Sequence, residues 1–261
     1  MTTQNRKDHA EYAQATEIAA QLRRDIAEGK YGPGDRLPSQ RKLAEQHNAV
    51  RGTVDRAIRD LVDEGLAITE WGRGTFVRQK PQWMRFGRRR YSRSMRTFND
   101  LGPFGAEAAA QGKEPFVDCA AIDRIIPPSD VAERLEISPD TEVVRRENWY
   151  YADAEALQLG VTFAPWSIVE GTPVSNSADM GPEGIYGQFE RQGYPITFIR
   201  EEITARMPSP DESLRLQIPP GVPVIDLWHT GYDDQHRPFE TTHFVMRADY
   251  SALDYDMPVE D

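Results

Sequence analysis

The segment from Leu37 to Val77 constrains the fold of this 261-residue chain more than any other. It predicts a short helix from Ser39 to Gln46, a tight turn at 47–48 and a second helix from Arg51 to Glu64. Two short strands are expected on either side of the glycine-containing segment 71–74. This is the layout of a winged helix-turn-helix, whose second helix fits the major groove of B-DNA.

The charge of the chain is divided unevenly along its length. Residues 1–99 contain 20 Lys and Arg against 12 Asp and Glu, a balance of +8, whereas residues 100–261 contain 11 against 30, a balance of −19. No acidic residue occurs from Trp71 to Asn99. Because phosphate attracts the basic part and repels the acidic part, the charge indicates that only the N-terminal part contacts nucleic acid.

Composition also bounds location and chemistry. The single cysteine, Cys119, cannot form an internal disulfide, and no stretch approaches the ~20 apolar residues of a membrane helix. We therefore expect a cytoplasmic protein with no membrane partner. The histidines at 229, 236 and 243 are spaced by seven, which does not suit a shared metal ion. We expect no metal site and no cofactor.

The pattern predicts an α/β two-domain protein. The N-terminal domain is a winged helix-turn-helix, mostly α with a β wing, and its first helix is expected from Tyr12 to Glu28. The C-terminal domain is expected to be α+β with a largely antiparallel sheet. The expected divisions are a flexible N-terminus at 1–11, the DNA-binding domain at 12–78, a basic linker at 79–99 and the second domain at 100–255.

The second domain contains six strand-like runs and an internal repeat. Segment 127–153 recurs as segment 208–234, each with a capped helix, a proline turn, a strand and an Asp-centred hairpin. Two such units around a pseudo-two-fold axis would leave a cleft that suits a small molecule. Duplication for stability alone is the alternative. The predicted strands are 117–125, 142–151, 157–163, 196–205, 224–232 and 239–246.

The second helix and the wing supply the predicted DNA contacts. Arg51 is placed for a bidentate contact to guanine, with a phosphate contact as the alternative. Arg73 is placed to enter the minor groove, and its alternative role is a solvated turn residue. Asp55 either accepts a hydrogen bond from cytosine or pairs with Arg59 one turn later. The predicted DNA-binding residues are Ser39, Arg41, Arg51, Gly52, Thr53, Asp55, Arg56, Arg73 and Gly74.

These motifs resemble those of the GntR family of bacterial transcription regulators. The resemblance is carried by GPGDRLPS at 32–39, by the Thr-Val, Ala, Leu and Glu-Gly positions of 53–65, and by GRGTFV at 72–77. The second domain resembles the HutC-type effector domain, called UTRA, with its chorismate lyase-like fold. The resemblance of the second domain rests on Pro165, the segment 184–186 and the segment 232–240. The resemblance implies a homodimer formed through the C-terminal domain on a near-palindromic double-stranded DNA operator.

The chain departs from the family pattern at several positions. Gln40 stands where an acidic residue is usual, and Asp55 stands where the family has a second recognition arginine. Asn148 and Tyr150 replace an Arg-x-Arg strand motif, which makes a sugar phosphate less expected as the ligand.

The predicted ligand-binding residues come from the linker and the second domain. Arg146, Asn148 and Tyr150 alternate along one strand and therefore share a face. By resemblance, 96–97 maps near the segment that grips the anionic end of a ligand, and Glu240 lies near the family's ligand-contacting acid. The predicted set is Arg96, Thr97, Arg146, Asn148, Tyr150, Gln158, Thr162, Tyr186 and Glu240.

Three functions compete at this point. The first is a transcription repressor that is released or modulated by an unknown small-molecule effector. The second is a constitutive DNA-binding protein, for plasmid control or architecture, whose second domain only dimerises. The third is an enzyme, which we do not expect, because a lyase-like fold does not imply catalysis and no nucleophile–base pair stands out.

Overall fold

The computed structural model describes residues 3–79, 83–94, 102–181, 184–257 and 259. The chain forms two compact units. One consists of Met1–Pro81 with the short segment Ile218–Val222, and the other consists of Gln82–Gln217 with Pro223–Asp261. The predicted winged helix-turn-helix lies in the first unit and the predicted antiparallel sheet in the second.

The described residues of the first unit form three helices and a β-hairpin. Apolar side chains of the first and third helices, including Leu22 and Leu61, are buried against one another. Removing this apolar surface from water is the main favourable contribution to folding the domain. Its elements are α1 (Thr3–Ala27), α2 (Gln40–His47), α3 (Arg51–Asp63) and the antiparallel strands β1 (Ala67–Glu70) and β2 (Gly74–Val77).

Helix α1 begins earlier than the sequence predicts. Its apolar spacing predicts a start at Tyr12 after a flexible segment, but the helix already begins at Thr3. Each further residue of an existing helix adds a hydrogen bond without the cost of a new nucleus. The polar residues before Tyr12 can therefore be helical without an apolar face of their own.

Helix α2 begins and ends within one residue of the predicted positions. The Oγ atom of Ser39 accepts a hydrogen bond from the backbone N–H of Lys42 at 3.2 Å, which caps the helix. Asn48 follows the last turn with a φ of 48°, a left-handed conformation that asparagine tolerates. This residue produces the sharp turn between α2 and α3.

The second unit is built around a six-stranded antiparallel sheet, which confirms the predicted α+β class. All six predicted strands are present. Its elements are β3 (Met84–Phe86), a 3-10 helix (Arg88–Tyr91), α4 (Pro103–Ala110), β4 (Pro115–Ile125), α5 (Ser129–Arg134), β5 (Val143–Ala152), β6 (Glu155–Pro165), α6 (Trp166–Val169), α7 (Pro173–Asn176), α8 (Gly184–Arg191), β7 (Phe198–Arg206), α9 (Pro210–Arg215), β8 (Val224–Tyr232), β9 (Pro238–Arg247) and β10 (Ser251–Leu253).

The sheet contains two copies of one β-α-β-β unit, in agreement with the predicted repeat. The strand order is β4-β5-β6-β9-β8-β7, so β6 and β9 join the copies at the centre. From residue 121 to 125, the registers relate β4 and β5 to β7 and β8 by one offset of 81 in numbering, because Ile122 pairs with Arg146 as Ile203 pairs with Leu227. Between β6 and β9 the offset is one position longer, because the partner of Asn148 is Gly160 and that of His229 is Thr242.

Each copy also places its helix on the other copy. The guanidinium of Arg134, in α5, lies 4.2 Å from the ring centre of Trp228, and that of Arg215, in α9, lies 4.1 Å from the ring centre of Trp149. Each tryptophan belongs to the opposite repeat. These reciprocal cation–π contacts hold the two copies together on one face of the sheet.

Part of the predicted linker is folded into the second unit. Strand β3 pairs in parallel with β10, and Met84 and Phe86 are each only 2% exposed. A three-residue strand is too short to show a period in the sequence, and its partner lies near the C-terminus. Residues 84–91 are therefore fixed to the second unit rather than forming an open basic linker.

Candidate DNA-binding surface and ligand pocket

Helix α3 presents one polar and one apolar face. Arg51, Asp55 and Arg59 follow at intervals of four residues and lie on one side of the helix. Both arginines are exposed, as is Gly52 beside them. The other side packs into the core through Val54 and its neighbours. The exposed side therefore has the form of a groove-reading surface.

Thr53 does not belong to this exposed face. It is 3% exposed, and its Oγ1 atom is buried without a hydrogen-bond partner in the described part of the chain. Thr53 lies on the same side of α3 as Ala57 and Leu61, which are both buried. The structure therefore contradicts the predicted DNA contact of Thr53, because the helical period turns this side chain into the core.

Asp55 is held by two neighbours. Its Oδ1 atom accepts a hydrogen bond from Nε2 of Gln40 at 3.0 Å, and its Oδ2 atom lies 3.5 Å from Nη2 of Arg59. Of the two roles left open for Asp55, the geometry favours the pairing with Arg59. Gln40 is a second partner that the sequence did not reveal.

Other predicted DNA contacts around α2 and α3 have partners within the protein. Ser39 caps α2, and Nε of Arg41 lies 3.8 Å from a carboxylate oxygen of Glu45. The guanidinium of Arg56 lies 4.3 Å from the centre of the Tyr12 ring. Exposed ion pairs contribute roughly 0–1 kcal/mol, so the Arg41 pair can be exchanged for a phosphate contact at little cost.

The wing exposes an aromatic side chain beside its arginine. Trp71, at the turn between β1 and β2, is fully exposed. Arg73 contacts the carboxylate of Glu70, yet its side chain remains 72% exposed. Gly74 has a φ of 122° and lies against the side chain of Arg36. Trp71 is a candidate DNA contact that sequence reasoning missed, because its exposure is visible only in the structure.

The second unit contains a pocket of about 430 Å³ above the central strands of its sheet. Its floor lies on the face opposite α5 and α9. Residues that pair across β5, β6, β9 and β8 form three rows beneath it. The rows are Arg146, Thr162, Thr242 and His229; Asn148, Gly160, Phe244 and Leu227; and Tyr150, Gln158, Met246 and Ile225.

Aromatic side chains cover this floor. Phe86 comes from β3, Tyr91 from the 3-10 helix, Phe104 from α4 and Tyr186 from α8. The Phe86 and Phe104 ring centres lie 6.2 Å apart, and those of Phe104 and Tyr150 lie 5.1 Å apart. These contacts join the roof to the floor along one side of the pocket.

The structure brings most of the predicted ligand residues together. Arg96 and Thr97 lie outside the described residues. Glu240 does not line the pocket: it is 1% exposed, its Oε1 atom lies 2.9 Å from Nε2 of His229, and its Oε2 atom accepts a hydrogen bond from Thr242. Its predicted ligand contact is contradicted, because the neighbouring strand supplies its partner. The predicted residues that line the pocket are Arg146, Asn148, Tyr150, Gln158, Thr162 and Tyr186.

Arg146 is a buried cation. It is 2% exposed and donates hydrogen bonds to the backbone carbonyls of Ser177 at 2.7 Å and Ala178 at 2.9 Å. Within the described residues, no carboxylate forms an ion pair with it. Burial lowers the pKa of Arg146 from its usual value. Since a buried charge is costly unless it is paired, the pocket favours an anion beside this side chain.

Three further polar atoms of pocket-lining residues lack partners. Oδ1 of Asn148, Oε1 of Gln158 and Nη1 of Arg90 are buried, and none has a hydrogen-bond partner in the described ranges. A buried polar atom left unpaired costs about 1–3 kcal/mol. A bound molecule that supplied the missing partners would remove this cost.

Arg90 also takes part in a buried network that fixes the 3-10 helix to β7. Its Nη2 atom donates to Oε1 of Glu201 at 2.8 Å, and the hydroxyl of Tyr91 donates to the same oxygen at 2.5 Å. Burial opposes the ionisation of Glu201. The interactions with His229 and Arg90 outweigh that effect and lower the pKa of Glu201 to about 2.

His229 extends this network from β7 to α8. Its Nε2 atom lies 2.7 Å from the hydroxyl of Tyr186, and its Nδ1 atom lies 3.5 Å from Glu201. Burial disfavours the charged imidazole, but the nearby carboxylate of Glu240 outweighs it, so the pKa of His229 is raised. The network therefore links Tyr91 and Tyr186, which both line the pocket.

Several pocket residues escaped the sequence analysis. Arg90 and Phe86 fall in the segment interpreted as a linker, and Glu201, the partner of Arg90, is distant in the sequence. Thr242, Phe244 and Met246 alternate on β9, and that alternation is the pattern that identifies them once the strand is known.

The described residues contain no cluster of three or more His, Cys, Asp or Glu side chains arranged to hold a metal ion. None of their helices combines the length and apolar character needed to span a membrane.

Known proteins resemble this chain over nearly its whole length. The model of the UTRA domain matches residues 110–251, and that of bacterial regulatory proteins of the gntR family matches residues 14–77. An uncharacterised HTH-type transcriptional regulator of Streptomyces coelicolor is 30% identical, covering 94% of this chain and 93% of its own. A "Probable fructoselysine utilization operon transcriptional repressor" of Shigella flexneri is 24% identical, covering 92% of both chains. A crystal structure assigned to a GntR-family transcriptional regulator superposes with a TM-score of 0.69 at 27% identity, covering 95% of this chain and 98% of that one.

The buried network predicts how stability responds to acid. Because the pKa of Glu201 is lower in the folded chain, its contribution is present above the unfolded value of about 4.3 and is lost as the pH falls towards 2. The difference corresponds to roughly 3 kcal/mol of unfolding free energy. In Glu201→Gln we expect the protein to be less stable at pH 7 and to lose less stability between pH 5 and 3, measured by urea unfolding.

Glu202→Gln is the matched control. Glu202 is the next residue of β7 and is 38% exposed, and its partners Arg134 and Arg200 lie at 3.3 and 3.4 Å. This variant should keep the acid sensitivity of the unchanged protein. Identical pH profiles for the two variants would contradict the role assigned to Glu201.

Proposed function

This chain belongs to the GntR family of bacterial regulatory proteins and carries a UTRA domain, and on that basis we propose that it is a sequence-specific repressor whose DNA affinity is set by a small molecule. In this proposal residues 12–78 read the operator, and the second unit, with residues 84–91 included, binds the effector and forms the dimer. The protein acts in the cytoplasm, where the chromosome lies.

The exposed face of α3 is the observation that carries the DNA-binding role. Arg51 and Arg59 extend from this face, and Gly52 leaves space beside them for a close approach to the groove. The exposed arginines of this face and Arg73 of the wing attract phosphate, which makes affinity fall steeply with salt.

A two-fold protein suits a near-palindromic operator. Each recognition helix reads one half-site, so two chains related by a two-fold axis read two half-sites on the same side of the duplex. The second unit supplies the interface in this proposal, because a first unit devoted to DNA must keep its exposed α3 face free.

The pocket favours a regulated protein over a constitutive one. A domain that served only to dimerise would gain nothing from a buried Arg146 without an ion-pair partner, or from amide oxygens of Asn148 and Gln158 without hydrogen-bond partners, among the described residues. The same atoms hold and orient a molecule, which is binding rather than catalysis. We therefore propose that the protein is not an enzyme.

Arg51→Ala tests the DNA-binding assignment. A bidentate arginine–guanine contact contributes about 1–3 kcal/mol of discrimination, so the variant should lose roughly tenfold or more of its preference for the operator over random DNA. The measurement is a gel-shift titration with the DNA upstream of the gene, alongside a scrambled duplex. The oligomeric state, measured by light scattering, should not change.

Arg56→Ala is the control within the same helix, because its guanidinium lies over the Tyr12 ring. It should lower the affinity for both duplexes by a similar small factor. Operator selection that survives in Arg51→Ala would refute the assignment.

Asp55→Asn tests how the recognition surface is arranged. The substitution keeps the shape and a hydrogen bond to Gln40 but removes a negative charge beside the phosphates. We expect operator and random DNA to bind more tightly by a similar factor, because only a nonspecific repulsion is removed. A loss of preference at one base pair, measured with a set of operator variants, would show instead that Asp55 reads that base.

A further inference from the structure

We propose that the effector is a small monoanionic amphiphile, in which a carboxylate and a neighbouring hydroxyl or N–H donor are attached to an alkyl or aryl body. This inference rests on the proposed function and names the class of ligand that the pocket takes. It is carried by the way charge, unsatisfied acceptors and apolar surface are distributed over the pocket.

The unbalanced positive charge in the pocket favours a ligand with one negative charge. Two arginines line it, and the charge of Arg90 is already balanced by Glu201 at 2.8 Å. Arg146 has only backbone carbonyls as partners among the described residues. Asp179 is exposed at the rim, where its carboxylate accepts a hydrogen bond from the backbone N–H of Gly181. A monoanion therefore neutralises Arg146, whereas a phosphate dianion would leave a second buried charge unpaired.

The two unpaired amide oxygens call for hydrogen-bond donors on the ligand. Asn148 is 5% and Gln158 is 4% exposed, and both present to the pocket an acceptor that has no partner in the part of the chain that the structure describes. Asn148 lies two residues along β5 from Arg146, so its Cα atom is only about 7 Å away. A hydroxyl or N–H group within a few bonds of the carboxylate can reach Asn148 while the carboxylate meets Arg146.

The internal repeat shows what is special about this pair. Asn148 and Gln158 correspond to His229 and Glu240 of the second copy, under the offsets that relate the strand registers. His229 and Glu240 form an ion pair at 2.9 Å and do not line the pocket, although Nδ1 of His229 and Oε1 of Glu240 have no hydrogen-bond partner in the described residues. The equivalent pair of the first copy is uncharged and lines the pocket, where a ligand can supply partners for Asn148 and Gln158.

The same comparison separates a polar side of the pocket from an apolar side. Arg146 corresponds to Leu227 of the second copy, and Thr162 corresponds to Phe244. Leu227, Phe244 and Met246 line the pocket on β8 and β9, and the roof adds Phe86 and Phe104. An alkyl or aryl body can bury its surface here, whereas the hydroxyl groups of a sugar would lose water without gaining partners.

A matched set of probes tests this class on the full-length protein. The set contains 3-phenyllactate, its neutral amide, 3-phenylpropanoate, 3-hydroxyoctanoate and glucose 6-phosphate. By titration calorimetry we expect the two hydroxy acids to bind, and the amide to bind at least about tenfold more weakly than 3-phenyllactate. Removal of the hydroxyl, in 3-phenylpropanoate, should weaken binding about three- to tenfold.

Arg146→Gln and Arg145→Gln form a matched pair of variants. Arg145 is the preceding residue of β5, points to the opposite face and already pairs with Asp123 and Glu147 at 3.4 and 2.6 Å. Arg146→Gln should weaken binding of 3-phenyllactate by at least about tenfold. The affinity for the amide should stay within about threefold of the value for the unchanged protein. Arg145→Gln should change neither affinity. Thermal unfolding of each variant shows whether it is folded.

The outcomes separate the ligand class from the proposed function. Equal binding of acid and amide, tighter binding of glucose 6-phosphate than of either hydroxy acid, or no binding of either hydroxy acid would overturn the class. An equal loss of acid and amide affinity in Arg146→Gln would do the same, because it would give Arg146 a structural role only. None of these results alters operator binding by the unchanged protein, which the Arg51 variant tests independently.

Discussion

The antiparallel pairing of β6 with β9 is the constraint on which the second unit depends. It joins two copies of a β-α-β-β unit into one sheet, so that neither copy has to bury its apolar surface alone. The reciprocal contacts of Arg134 with Trp228 and of Arg215 with Trp149 occupy one face. The other face is then shared by both copies, and equivalent positions on it can diverge into a pocket.

Divergence of the two copies explains why similar buried polar groups have different consequences. In the second copy, His229 and Glu240 form an ion pair, and Glu201 stays ionised because His229 and Arg90 lie beside it. In the first copy, Arg146 is buried without such a partner among the described residues. A domain that carries this cost is stabilised by any ligand that removes it. Arg90 connects this chemistry to the segment that leads towards the first unit, since it follows β3 and lines the pocket.

Much of this fold follows from local patterns. The cap at Ser39, the turn at Asn48 and the alternation of the six strands were all predictable from sequence. The burial of Thr53 was also predictable from the sequence, because Thr53 shares a helical face with Ala57 and Leu61. The partners of Arg90 and Glu240 were not predictable, because these partners lie on strands whose positions depend on the order of strands in the sheet. The exposure of Trp71 likewise depends on the folded wing.

In the proposed mechanism, occupation of the pocket and binding of DNA are coupled. The most direct measurement is the affinity of 3-phenyllactate for the free protein and for the protein saturated with operator DNA. Thermodynamic linkage requires that DNA weakens binding of the acid by the same factor by which the acid weakens binding of the operator. Couplings of this kind are typically about 5- to 150-fold. We expect weaker binding of the acid to the DNA complex, with equal factors in the two experiments. Equal affinity for the free and the DNA-bound protein would contradict it.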